Sequence, residues 1–82
     1  MSFGKNPHVA KATLAEQKAR AAGDESARVV AWRDAARHWE RAAERETIEK
    51  RAAEYTRNAT AAREEADRTD GATTATDPSE LN

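Results

Sequence analysis

The 82-residue chain predicts an all-α fold: an antiparallel three-helix bundle with helices at about 7–22, 25–45 and 48–67 between disordered termini. Three observations carry this expectation. Both tryptophans lie on one amphipathic stretch from Ser26 to Glu46, no Gly or Pro interrupts the chain between Ser26 and Arg68, and the apolar stripe changes phase near Thr47.

Met1 to Lys5 reads as a flexible lead-in, after which Asn6-Pro7 is a start signal. Asn accepts hydrogen bonds from free helix amides, and Pro tolerates the first helical position. The first helix then runs to Gly23, whose freedom to adopt positive φ would stop it. Two faces compete for its inside. One holds Pro7, Ala10, Leu14 and Ala21 with Gln17 interrupting; the other holds His8, Ala12, Ala15, Ala19 and Ala22, small enough for a close approach. A seam using Leu14 and part of the alanine strip is expected.

Gly23 to Ser26 supplies a turn and a fresh cap, either Asp24 or Ser26. In the second helix each residue advances about 100°, which places Trp32 and Trp39 within about 20° of each other. Val29, Ala35, Ala36, Ala42 and Ala43 share their arc, whereas Arg33, Asp34, Arg37, Glu40, Arg41 and Glu44 face the opposite way. From Ile48 the apolar positions recur at Ala52, Tyr55, Ala59, Ala62 and Ala66, a sustained helical stripe. Carried on from Trp32, Ile48 falls at about 160°, so an uninterrupted helix would aim the two stripes apart. A reversal near Glu46-Thr47, with Thr47 as cap, lets both face one core; one long helix swapped between two chains is the alternative.

Residues 6–68 thus form one domain, followed at 69–82 by an acidic tail of Gly, Pro and Thr without periodicity. The expected core is Leu14, Val29, Trp32, Ala36, Trp39, Ile48, Tyr55, Ala59 and Ala62. Alanine does most of the filling, so the core is thin, as small domains bury little of their surface.

The bulk chemistry excludes more than it selects. Lys+Arg 14 against Asp+Glu 15 speaks against a nucleic-acid or membrane surface driven by net field. Without cysteine there is no disulfide scaffold, thiolate zinc site or cysteine nucleophile. No apolar run matches a signal-peptide core or a membrane span, so the expected location is the cytoplasm. Abundant Ala and the use of Arg over Lys suit a GC-rich bacterial genome.

Residues Ala15 to Asp67 resemble two helical-hairpin families. The Gly23-Asp24 turn followed by Trp32 and Ala35 is similar to the second helix of a tetratricopeptide repeat, although Arg28 stands where that family has a small residue and its closing proline is absent. The turn, the aromatic second helix and a third helix with Glu54-Tyr55, Arg57 and Ala59 resemble the MIT domain, a three-helix bundle of similar size. The resemblance implies a docking module that binds peptides or helices in a groove, without catalysis.

Candidate chemistry is sparse. Asp34 and His38 could give two metal ligands on one helix face, with no third nearby; a solvated pair is the reading that fits their place at the flank of the Trp arc. His8, in a first helical turn, suits a local capping or surface role. No catalytic residue, metal or cofactor is expected. Asn58-Ala59-Thr60 matches a glycosylation sequon in mid-helix and reads as accidental. Arg33, Arg37 and Arg41 form a row that could meet an acidic peptide or phosphates, though Asp34 can reach Arg37 and Glu44 can reach Arg41. Val30 lies about 160° from Trp32, on the charged side and without shelter. Val30, Arg33, Arg37 and Arg41 are therefore the expected contact residues of a non-enzymatic interaction module for a protein partner of unknown identity. Nucleic-acid association through the arginine row and a homodimer or larger homo-oligomer are the alternatives.

Overall fold

The structure, a computed structural model, describes residues 6–75, with side-chain surroundings described through Asp70. Three helices follow one another: α1 (Pro7–Ala21), α2 (Glu25–Arg45) and α3 (Glu49–Ala75). They form an antiparallel three-helix bundle in which α2 is the middle member. α1 and α3 each pack along α2 and scarcely approach one another. The result is a flattened bundle of 55 × 24 × 12 Å. No helix among the described residues is long and apolar enough to cross a membrane.

The start of α1 follows from Asn6. Its Oδ1 accepts from the His8 amide at 3.1 Å, while its Nδ2 donates to the Ala42 carbonyl of α2 at 2.9 Å. One buried side chain therefore caps α1 and fastens it to the far end of α2. α1 stops without a left-handed glycine. Ala22 turns extended at φ −62°, ψ 137°, and the Arg28 guanidinium donates to its carbonyl at 3.0 Å. Gly23 does not use positive φ, which corrects the expected stop signal. Asp24 caps α2, accepting from the Ala27 amide at 2.8 Å.

The seam between α1 and α2 is the alanine strip Ala12, Ala15 and Ala19. Leu14, expected in the core, is 53% exposed. It lies roughly 130° from the mean direction of that strip, and seating it inward would have drawn Gln17 toward the seam as well. Small side chains let two helix backbones come close, and the area gained along the whole seam outweighs one leucine.

Both tryptophans are buried between the helices. Trp39 joins all three: its Nε1 donates to Glu16 of α1 at 2.7 Å, and its ring stacks on Tyr55 of α3 with centroids 5.6 Å apart. Glu16 also meets Arg20 at 3.5 Å, and the Arg20 guanidinium lies 5.4 Å from the centre of the Trp32 ring. Such ring contacts contribute about 0.5–1.5 kcal/mol each beyond burial. Ala35, Ala36, Ala42, Ala59, Ala62 and Ala66 complete the core, with Val29 and Tyr55 half-buried against it.

The chain reverses at 46–48, where the phase change of the stripe requires it. The Glu46 carboxylate, not Thr47, makes the side-chain contact at this corner, accepting from the Ile48 amide at 3.0 Å. Ile48, expected in the core, is 48% exposed. It sits at the corner itself, just before α3 begins, beyond the span that α1 covers. α3 continues through 69–75, beyond the boundary expected at 67–68. The expectations of flexible ends at 1–5 and 76–82 lie outside the described residues.

Candidate functional site

With the tryptophan face of α2 covered, its reverse face is the open one. Ala27, Val30, Asp34, Arg37 and Arg41 recur there at helical spacing, and Val30 is 67% exposed. A groove of about 740 Å³ runs between this face and the adjacent flank of α1. Ala15 of α1, Ala22 just past its end, and Ala27, Val30 and Ala31 of α2 form its apolar walls. Lys18, Asp24, Asp34 and Arg37 stand along it.

Beyond Arg37 the walls change character. The next cleft between the same two helices, about 170 Å³, is lined by His8, Lys11, Arg37, His38 and Arg41. Arg37 belongs to both spaces, so they form one furrow with an apolar end near the α1–α2 turn and a cationic end near the start of α1. His8 titrates below its ordinary range because of burial, followed by the positive charges of Lys11, Arg45 and Arg41 and by His38. Its Nδ1 is enclosed and meets no hydrogen-bond partner.

The four expected contact residues divide. Val30 and Arg37 line the apolar part of the furrow, and Arg41 lines the cationic part. Arg33 turns the other way: it reaches Asp67 at 3.3 Å and Asp70 at 3.5 Å on α3, beside the Glu40–Arg63 ion pair that joins the same two helices. Arg37 is held by Asp34 at 2.8 Å, the neutralising contact that their three-residue spacing permits. His38 approaches the same carboxylate at 3.6 Å, and no group of three His, Cys, Asp or Glu side chains able to hold a metal occurs among the described residues.

The α1 wall of the furrow was not singled out from sequence. Lys11, Ala15, Lys18 and Ala22 recur at four-, three- and four-residue intervals; Ala15 and Ala22 were expected on a face meeting another helix, and Lys11 and Lys18 were not counted with them. That His8 and His38, thirty positions apart, line one cleft left no local signal. No protein-family model matches the chain, and no curated protein or solved structure is similar enough to match it.

Proposed function

We propose that the chain is a non-enzymatic protein–protein interaction module that receives one amphipathic helix of a partner in the α1–α2 furrow. The observation that carries this reading is the exposure of Val30 midway along a groove walled by alanines. Alanine walls admit a helix closely, and an apolar residue on that helix would cover Val30. From Ala27 to Arg41 the furrow spans roughly 21 Å, the length of about 14 helical residues. Its cationic end selects carboxylates at one end of the partner helix. The resemblance to helical-hairpin docking families points the same way.

Nucleic-acid association has less support. Two members of the arginine row, Arg33 and Arg37, already hold carboxylates of their own chain. Nor does burial of the tryptophans call for a second copy, since one chain covers both.

A fluorescent 14-residue helical peptide, with apolar residues at i, i+3 and i+7 and glutamates at one end, tests the reading against a charge-reversed peptide. Binding of the acidic peptide should weaken at least tenfold in Val30→Asp and in Arg37→Glu/Arg41→Glu, with the far-ultraviolet spectrum unchanged. Equal binding by all variants, or preference for the basic peptide, would remove the furrow as the docking surface.

A further inference from the structure

The cationic end of the furrow differs from an ordinary solvated row of charges, because its members come from two helices and converge. α1 contributes His8 and Lys11; α2 contributes Arg37, His38 and Arg41. Arg45 adds to the field at His8 from the last turn of α2. Asp34 is the carboxylate close by, and it is shared between Arg37 and His38. Among the described residues, Lys11 and Arg41 meet no carboxylate within ion-pair distance. α3 contributes nothing to the lining.

We infer that this cleft binds a single oxyanion, a carboxylate or phosphate group held between α1 and α2. Like charges converging at this density repel, and an anion among them offsets that repulsion with an attraction to each cation. The donor set suits an oxyanion: a guanidinium offers paired N–H groups, an ammonium offers a compact charge, and imidazoles add directional N–H donors once protonated. The enclosed Nδ1 of His8 is a polar atom within this set that the protein itself does not satisfy. At about 170 Å³ the space equals roughly five or six waters, enough for one such group and part of its hydration. Because two of the five lining side chains are histidines, an added proton on either ring increases the positive charge facing the anion, and binding strengthens as the pH falls.

The test follows the ring protons of His8 and His38 by NMR in the full chain at pH 6. Inorganic phosphate and, separately, acetate are titrated at constant ionic strength against sodium chloride. Saturable shifts of both rings, a rise in both histidine pKa values, and at least fivefold weaker binding in Arg41→Gln and Lys11→Gln support the site. Tighter saturation by phosphate assigns it to phosphate groups; tighter saturation by acetate assigns it to carboxylates. Shifts that grow linearly and match those in chloride, or that survive both substitutions unchanged, overturn it. Arg41 and Lys11 are exposed, so both variants should keep the parent's helicity and tryptophan fluorescence. The site deepens the docking reading by naming what its cationic end holds, and the two remain separable: free phosphate and acetate report on this cleft alone, whereas Val30→Asp reads helix docking at the other end of the furrow.

Discussion

The two faces of α2 are built from the same helix and solve opposite problems. On the inner face every large side chain has a designated neighbour: Trp39 has Glu16 and Tyr55, and Trp32 has Arg20. On the outer face Val30 is left two-thirds exposed, and the charges are arranged around a furrow instead of across a seam. The difference is one of saturation. A core made almost wholly of alanine leaves two aromatic rings to hold three helices together, so the inner face has little capacity for substitution. The outer face is free to vary without unfolding the chain, which is what a binding surface needs.

Trp39→Ala should therefore have the largest effect of any single change. It removes the stack on Tyr55, the bond to Glu16 and the bulk of the core at once, a loss of about 3–5 kcal/mol. A domain of this length has roughly 4–12 kcal/mol in total, so the cooperative thermal transition should be lost or fall below room temperature. Trp39→Phe sharpens the point: it keeps a ring against Tyr55 and removes the bond to Glu16 with part of the indole's bulk, costing about 1–3 kcal/mol. Val30→Ala is the outer-face control, within about 0.5 kcal/mol of the parent. Circular-dichroism melts of the three variants would break the comparison if Val30→Ala cost as much as Trp39→Phe.

Asn6 separates local from tertiary stabilisation. As a cap alone it could be replaced by Asp, which serves equally well at that position. Asp cannot donate to the Ala42 carbonyl, and its carboxylate would face that oxygen. Asn6→Asp should therefore destabilise by about 1–3 kcal/mol, at least as much as Asn6→Ala. A neutral Asn6→Asp in a urea titration would show that the bond to α2 contributes nothing.

What was legible in the sequence is what repeats along one helix. The tryptophan arc, the stripe from Ala52 to Ala66 and the reversal near Thr47 all follow from the 3.6-residue period, and the structure builds them as the period demands. Leu14 and Ile48 went astray for a different reason. Their hydrophobicity argued for the inside, while their place, on the far side of an alanine seam and at a chain reversal, kept them out. Size was weighed where proximity decided. The second function of Asn6, the turning of Arg33 onto Asp67 and the placing of His8 and His38 on one cleft all bring together residues more than twenty-five positions apart. Such contacts depend on how helices are placed against one another, and single-helix periodicity carries no record of that. The furrow was half visible for the same reason: its α2 wall was found through Val30, Arg37 and Arg41, and its α1 wall was not.

The smallest expected effect tests whether the cationic end of the outer face is as unrelieved as its geometry implies. The folded protein holds the His8 pKa below its usual value of 6.5, through burial first and then through Lys11, Arg45, Arg41 and His38. The unfolded chain, with an unshifted histidine, therefore binds more protons than the native state between the depressed value and 6.5. Stability follows that difference, being full above pH 6.5 and declining as the pH falls through 6.5 toward the folded value. In a buffer free of phosphate and carboxylate, the melting temperature should drop between pH 7.5 and pH 5.5, a window above the range where most carboxylates titrate. His8→Gln should flatten part of that drop, since glutamine keeps a polar side chain and cannot take up the proton. An unchanged slope in His8→Gln would mean that the charges of Lys11, Arg41 and Arg45 do not converge on this ring in solution, and the contrast between a saturated inner face and an unsaturated outer one would then rest on Val30 alone.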